Sequence, residues 1–122
     1  MLRFSGTVAW LVVQRRLLST QSVLWLELKR RRHRVYYYRT KKGHEIDFIA
    51  VPRDNSPPEL VQVCHTLTEE NRRRELRPIG ETARMLGISE ARIVTMDSEE
   101  TLSVDGIGVQ VVPAWKWFLQ RA

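Results

Sequence analysis

Three polar side chains on two predicted neighbouring strands are the residues of this sequence that could do chemistry together. Asp47 lies inside the apolar run HEIDFIAVP (44–52), and Gln62 and Cys64 are two residues apart in ELVQVCH (59–65). Aspartate is rare in strands because its carboxylate is costly to bury without a partner. If the two strands pair, as sequence neighbours usually do, Asp47 lies near Gln62 and Cys64, in a geometry known from metal sites.

Each of these residues also has a structural interpretation. Asp47 could pair with Arg39 across a hairpin or cap a turn, because a buried carboxylate needs an arginine or hydrogen-bond donors. Cys64 is predicted to be a small buried apolar residue, since its own strand carries no cations that would lower the pKa of the thiol. We expect His44 and His65, which flank the strands, to be hydrogen-bonded structural residues.

The elements that must position these residues follow from the spacing of apolar side chains. Residues 17–29 predict a mostly buried helix, followed by a strand over RVYYYRT (34–40) and a KKG turn into the strand at 44–52. Strict alternation along that strand places Glu45, Asp47 and Ile49 on one face and Ile46, Phe48 and Ala50 on the other. The proline-rich loop RDNSPP then leads into the third strand at 59–65.

The second half of the chain begins with a change from strand to helix periodicity. Residues 68–87 predict a helix with Thr68 as its N-cap, Gly87 as its closing residue and a kink or interruption at Pro78. Strands are predicted at 91–97 and 106–113, separated by the acidic loop DSEE. The tail AWKWFLQ predicts a short helix in which Trp115 and Trp117 serve as core anchors. The order α-β-β-β-α-β predicts an α/β fold with a mixed sheet flanked by helices.

Composition bounds the class of protein. The chain has 122 residues, 43% of them apolar and 28% charged, which is typical of one soluble globular domain. Its single cysteine excludes an internal disulfide and favours a reducing, cytoplasmic location. The N-terminal stretch MLRFSGTVAWLVVQRRLLSTQS (1–22) contains arginines and serines without acids, and its apolar part is too short to span a membrane. We therefore expect no membrane association and assign residues 1–16 to a loosely packed arm or a helix of the fold.

The positive charge is concentrated in the first third of the chain. Residues 1–42 carry a net charge of +10 and residues 43–122 a net charge of −4, within a total of +6. Such a basic segment is either a solvated helix end or a surface for a polyanion. The candidate nucleic-acid-binding residues are Arg30, Arg31, Arg32, Arg34, Arg39, Lys41 and Lys42.

Several stretches in order along the chain resemble a known family. They are VLWLELKRR (23–31), YYYRTKKGHEIDF (36–48), LVQVCH (60–65), NRRRELRPI (71–79), RIVTMD (92–97) and VQVVPAWKWFL (109–119). Together they resemble the nuclease-like domain found at the C-terminal end of a family of prokaryotic AAA-type ATPases, within the restriction-endonuclease-like, or PD-(D/E)xK, superfamily. Because the chain contains no phosphate-binding glycine loop, we expect either a module detached from the ATPase domain or one from which the rest of the gene was lost.

The resemblance implies a degenerate active site. Active members hold Mg²⁺ with an aspartate and a glutamate, and a lysine orients or activates the attacking water. Asp47 matches the aspartate, but the glutamate and lysine positions hold the neutral Gln62 and Cys64. Glu27 matches an acid that some members carry on the first helix. We therefore expect no catalysis and no cofactor, and a module that binds DNA, RNA or a protein partner.

Two alternatives remain open. The chain could be a Mg²⁺-dependent DNA or RNA endonuclease in which Asp47 is the metal ligand, Glu45 or Glu27 supplies a second carboxylate, and a lysine has migrated. The migrated lysine would be Lys29, Lys41 or Lys42. Otherwise it is a structural appendage that forms a homodimer or docks on an ATPase partner.

Overall fold

The computed structural model of the protein describes residues 20–120, which form six strands and three helices. The helices are α1 (Thr20–Arg30), α2 (Arg72–Leu86) and α3 (Ala114–Leu119). The strands are β1 (Arg34–Arg39), β2 (Glu45–Val51), β3 (Glu59–Val63), β4 (Glu90–Thr95), β5 (Glu100–Val104) and β6 (Ile107–Pro113). Residues 1–16, predicted as an arm or a helix, and the first residues of the predicted first helix lie outside the described range.

The strands form one mixed sheet in the order β1-β2-β3-β4-β6-β5. Strands β3, β4 and β6 pair in parallel, and the other neighbours are antiparallel. The parallel pair β3 and β4 is joined through α2, because parallel neighbours need a crossover connection. The predicted α/β class, the mixed sheet and the pairing of β2 with β3 are therefore confirmed.

The core has two parts, one on each face of the sheet. Helix α2 contributes Ile79 and Ala83 to the first part, which we name the α2-side core. Helices α1 and α3 cover the other face, where Leu24, Leu28 and Trp117 form the α1-side core together with sheet residues. The sheet is thus the middle of three layers, and each helix buries its apolar stripe against one face.

Strand β2 contains a bulge next to Asp47, so the predicted strict alternation is wrong there. Tyr36 pairs with Ile49 and Tyr38 with Ile46, which leaves two residues of β2 opposite Tyr37. As a result Ile46 and Ile49 both belong to the α2-side core, whereas Phe48 and Ala50 belong to the α1-side core. The extra residue changes which way the strand's side chains point on either side of it.

The ends of α2 are only partly as predicted. Gly87 closes the helix as expected, with φ of +69° and its N–H donating to the Ala83 carbonyl. At the other end the helix begins at Arg72, because Thr68 and Asn71 hold the preceding turn by reciprocal side-chain to backbone hydrogen bonds of 2.8 and 3.2 Å. The helix continues through Pro78 without interruption.

The acidic loop predicted after the fourth strand is present at residues 96–99, but the prediction missed the strand that follows it. Residues Glu100–Val104 form β5, which pairs with β6 through a tight hairpin. Asp105 and Gly106 form its turn, with φ of +51° and +82°, the left-handed values that a two-residue hairpin turn requires. The sequence signal was the Asp-Gly pair between two alternating segments.

Candidate functional site

Asp47 connects β2 and β3 at the point where their backbone ladder ends. The last regular pair is Phe48 with Val61. Beyond it one carboxylate oxygen of Asp47 accepts the Val63 N–H at 2.8 Å, and the other accepts the Gln21 side-chain amide at 2.5 Å. The carboxylate thus takes the place of a backbone acceptor.

Gln62 completes this connection from the opposite strand. Its side-chain oxygen accepts the Asp47 N–H at 2.9 Å, and its side-chain nitrogen lies 3.4 Å from the Glu45 carbonyl. The side chain is buried, so these bonds satisfy polar atoms that water cannot reach. The predicted proximity of Asp47 and Gln62 is confirmed. The contact is between the Gln62 side chain and the Asp47 backbone N–H, which lies in the bulge of β2.

The electrostatic surroundings of Asp47 disfavour its ionised form. Burial raises the pKa of this carboxyl, and the nearby Glu45 charge adds to the rise, against the hydrogen bonds from Val63 and Gln21. Arg39, the predicted partner of Asp47, instead binds Glu45 at 2.6 Å. The prediction of an Asp47–Arg39 pair is therefore wrong. The contacts of Asp47 with Val63 and Gln21 are nevertheless structural ones.

Cys64 is buried in the α2-side core. Its thiol donates to the Thr66 carbonyl at 3.2 Å. Burial raises the pKa of the thiol, and the neighbouring Glu75 carboxylate raises it further. A thiol held in its neutral form is a poor nucleophile. The prediction that Cys64 is a small buried apolar residue is confirmed.

Glu75, which the sequence reasoning did not single out, lies near both Asp47 and Cys64. It belongs to the first turn of α2, and burial raises the pKa of its carboxyl. Arg74 lowers that pKa, whereas the Asp47 charge raises it. Within a run of arginines Glu75 is typical of a surface ion-pair residue. Only the packing of α2 on the sheet brings it close enough to Asp47 for the two charges to interact.

The two other predicted carboxylates are held elsewhere. Glu27 is buried and accepts hydrogen bonds of 2.6 to 2.9 Å from Arg30 and Arg31. Glu45 is exposed and accepts the Tyr37 hydroxyl at 2.5 Å as well as Arg39. Within residues 20–120, no group of three or more His, Cys, Asp or Glu side chains has a geometry that could hold a metal ion.

The candidate nucleic-acid-binding residues separate into two groups. Arg30, Arg31 and Arg39 form ion pairs, and Arg31 is also buried against the Trp117 ring, 4.4 Å from its centroid. The exposed members with no ion pair among the described residues are Arg32, Arg34, Lys41 and Lys42. Lys29, a candidate migrated lysine, lies over the Trp25 ring at 5.9 Å.

An open cleft of about 620 Å³ lies along α2, with the β1–β2 hairpin at one edge and Val104 and Asp105 of the β5–β6 hairpin also in its lining. Lys42 lines it from the β1–β2 hairpin. The arginines that line it are Arg72, Arg73, Arg77 and Arg84. The sequence reasoning missed this site because residues 43–122 have a net negative charge, which conceals the basic helix within them.

Replacing Asp47 tests whether its role is structural. We expect Asp47→Ala to lower the free energy of unfolding by about 1 to 3 kcal/mol, because the half-buried Val63 N–H loses its acceptor. Asp47→Asn keeps an acceptor oxygen and should stay close to the wild type. Urea denaturation of both variants at neutral pH measures the difference. Equal losses in the two variants would show that the negative charge itself is required, as for a bound cation.

Comparison with known proteins places the chain in a family. A family model described as "Domain of unknown function (DUF4143)" matches residues 19–117. An uncharacterized protein from Methanocaldococcus jannaschii, MJ1544, is 31% identical over 108 residues, which is 81% of this chain and 24% of that protein. The chain therefore spans about a quarter of the length of this curated relative. No solved structure matches the chain.

One further finding concerns membranes: among residues 20–120, no helix is long and apolar enough to cross one. The family match covers every strand and both longer helices, including the cluster around Asp47 and the cleft beside α2. The chain belongs to the DUF4143 family.

Proposed function

We propose that this domain is a non-catalytic module that binds nucleic acid. The observation that carries the proposal is an imbalance of charge pairing on the described surface. Most of its carboxylates lie in ion pairs, whereas many of its cations do not. The Lys and Arg side chains without an ion pair in residues 20–120 are Lys29, Arg32, Arg34, Lys41, Lys42, Arg53, Arg73 and Arg77. Unneutralised cations attract phosphates and release counterions on binding.

The lack of catalysis is supported by the chemistry of the three matched positions. Phosphoryl transfer depends on charged groups that are fixed around the reacting phosphate, and losing one typically costs about 3 kcal/mol, or roughly 10² in rate. Gln62 carries no charge, and Cys64 is buried with a raised pKa. Both oxygens of Asp47 already accept hydrogen bonds from the protein.

We also infer that the domain descends from a restriction-endonuclease-like nuclease and works with an AAA-type ATPase. The mixed sheet with β2 and β3 adjacent supports this inference, as does the position of Asp47 beside Gln62. In this view the architecture has been kept while the charged groups of the cleavage site have been replaced.

A combined binding and cleavage experiment tests the proposal. Fluorescence anisotropy with labelled DNA and RNA oligonucleotides should show binding at low salt. For about four phosphate contacts, the affinity should fall about 50-fold between about 50 mM and about 200 mM salt. Plasmid and RNA incubated with Mg²⁺ or Mn²⁺ should stay intact.

Two outcomes would contradict the proposal. The absence of binding to every oligonucleotide at low salt would remove the nucleic-acid function. Metal-dependent cleavage that disappears in Asp47→Ala would establish the endonuclease alternative instead.

A protein-binding role is the second candidate, and exposed apolar side chains on α3 favour it. Trp115 is 63% exposed and Leu119 is 75% exposed. Such side chains on a short helix are often covered by another protein surface. Light scattering should report a dimer if a second copy covers them, and Trp115→Ala should then restore the monomer.

A further inference from the structure

We infer that the cleft along α2, with the β1–β2 hairpin at one edge, is the place where a single nucleic-acid strand binds, with its phosphates on Lys42, Arg73 and Arg77. The inference rests on the proposed function and names its site and the form of its ligand. Lys42 also belongs to the sequence-based set of residues, whereas Arg73 and Arg77 lie outside it.

Helix periodicity brings the arginines of α2 to one wall. Arg73, Arg77 and Arg84 are separated by four and seven residues, so they lie along one face of the helix. Lys42 is the hairpin residue on the opposite wall of the cleft. A chain lying between the two walls therefore passes cations on both sides.

Some cations of this cleft form ion pairs within the protein, and others are available to a ligand. Arg72 is bound by Glu100 at 3.2 Å and Arg84 by Asp105 at 2.7 Å, so both guanidinium groups are fixed in place. The available cations, which are exposed and form no ion pair with the described residues, are Lys42, Arg73 and Arg77. This surplus of positive charge would be neutralised by an anionic ligand.

Three carboxylates line the cleft and limit the density of negative charge that it accepts, and one of them, Asp105, is the partner of Arg84. Glu81 lies 3.1 Å from the His44 ring, and Glu69 is within 3.4 Å of Arg72. These partners reduce but do not remove the repulsion of phosphate. A flexible strand can place its phosphates next to the cations and keep them away from the acids.

Apolar surface inside the cleft distinguishes a nucleic-acid strand from a simple polyanion. A neighbouring part of the cleft shares Lys42, Glu81 and Arg84 with the first and is lined by the Tyr38 ring and Met85. Leu76 adds an apolar contact on the helix side. Sites for single strands combine a basic groove with aromatic surface on which bases stack.

The size of the cleft selects a single strand over a duplex. Its volume of about 620 Å³ falls in the range of pockets that enclose a compact ligand, roughly 300 to 1,000 Å³. Such a space admits a short segment of one strand with an unstacked base. A duplex keeps its bases inside, so it could place only its backbone against the rim.

Charge-reversal variants of the whole chain test the site. The probe is a fluorescein-labelled single-stranded oligothymidine of about 15 nucleotides, which is within the usual range for such sites. We expect Arg73→Glu with Arg77→Glu to lower the affinity about 100-fold, because two phosphate contacts become repulsive. Lys42→Glu, on the other wall, should lower it about 10-fold. Circular dichroism checks that each variant is folded.

The matched control is Arg74→Glu with Lys116→Glu, which makes the same change of net charge at two exposed cations that do not line the cleft. It should alter the affinity less than about threefold. Equal losses in the control and the cleft variant would overturn the inference, as would duplex DNA binding as tightly as the single strand. Polyglutamate competing as well as the oligonucleotide would instead indicate an acidic polypeptide ligand and also overturn it.

The same data separate the two proposals. If the wild-type protein binds no nucleic acid, the proposed function fails and this inference fails with it. If the wild-type protein binds but the cleft variants keep their affinity, only the assignment of the site is wrong.

Discussion

Replacement of Glu27 by alanine is expected to lower the free energy of unfolding by about 3 kcal/mol or more. Glu27 is 7% exposed and is the shared partner of Arg30 and Arg31. Arg31 is itself nearly buried, and its guanidinium also donates to the Trp117 carbonyl at 3.0 Å. Without Glu27 the Arg31 charge would stay in a buried position with no counter-charge, which is the costly outcome for a broken buried pair.

Chemical and thermal denaturation measure this loss. For a domain of this size we expect the midpoint temperature to fall by about 10 to 20 °C. Glu45→Ala is the matched control, because it removes the same side chain from an exposed pair with Arg39 and should leave the midpoint nearly unchanged. Equal effects of the two substitutions would mean that the Glu27 pair does not stabilise the fold.

The pH dependence of the same variant has a defined sign. Burial raises the pKa of Glu27, but the hydrogen bonds from Arg30 and Arg31 outweigh burial and hold the pKa below its ordinary value of 4.5. Its stabilising contribution is therefore complete above that value and is lost as the pH falls through the folded-state pKa. The difference in stability between the wild type and Glu27→Ala should shrink over that acidic range.

The pKa shifts of Asp47 and Glu75 have the opposite sign to that of Glu27. Burial raises the pKa of both carboxyls, so the folded state binds their protons more tightly than the unfolded chain does. Their contribution to folding becomes more favourable as the pH falls through the folded-state pKa values. Mild acid should therefore relieve the repulsion around Asp47 before it weakens the Glu27 pair.

Replacement of Trp117 by alanine is the second change with a large expected effect. The ring is 1% exposed and packs with Leu24 and Leu28 of α1. It also meets the Phe118 ring edge-on, with centroids 5.1 Å apart. Removing so large a buried side chain typically costs about 3 to 5 kcal/mol. We expect urea denaturation to show a loss of this size, with α3 the first element to detach.

The neighbouring Trp115 provides the control. It is 63% exposed, so Trp115→Ala should change the stability by about 0.5 kcal/mol or less. Similar losses for the two tryptophans would contradict the packing described for α3. The double variant Glu27→Ala with Trp117→Ala should lose less stability than the sum of the two single losses, because Arg31 contacts both Glu27 and Trp117.

The pair of tryptophans shows what the sequence could and could not predict. Both were predicted as core anchors, and only Trp117 is one. In a helix of six residues the two side chains lie on different faces, and nothing in AWKWFL indicates which face meets α1. The β5 strand, in contrast, had a sequence signal in Asp105 and Gly106, and a closer interpretation of that pair would have predicted the hairpin.

Only part of the candidate site was predicted, because part of it depends on contacts between elements that are distant in sequence. Pairing of neighbouring strands was enough to place Asp47 beside Gln62. The bulge that changes the side-chain alternation of β2 was not predictable, because it depends on how β2 registers against β1. The position of Glu75 next to Asp47 depends on the docking of α2 on the sheet, a contact between residues distant in sequence.

The sequence alone determined the class of the fold, the main strands and helices, and the neutral residues at positions 62 and 64, because these follow from local periodicity and residue type. The tertiary structure decided which cations are available. Arg31 is enclosed by Glu27 and Trp117, whereas Arg73 and Arg77 face an open cleft opposite Lys42. Net charge can be counted along a chain, but the pairing of a charge depends on which side chains the fold brings within a few ångströms of it.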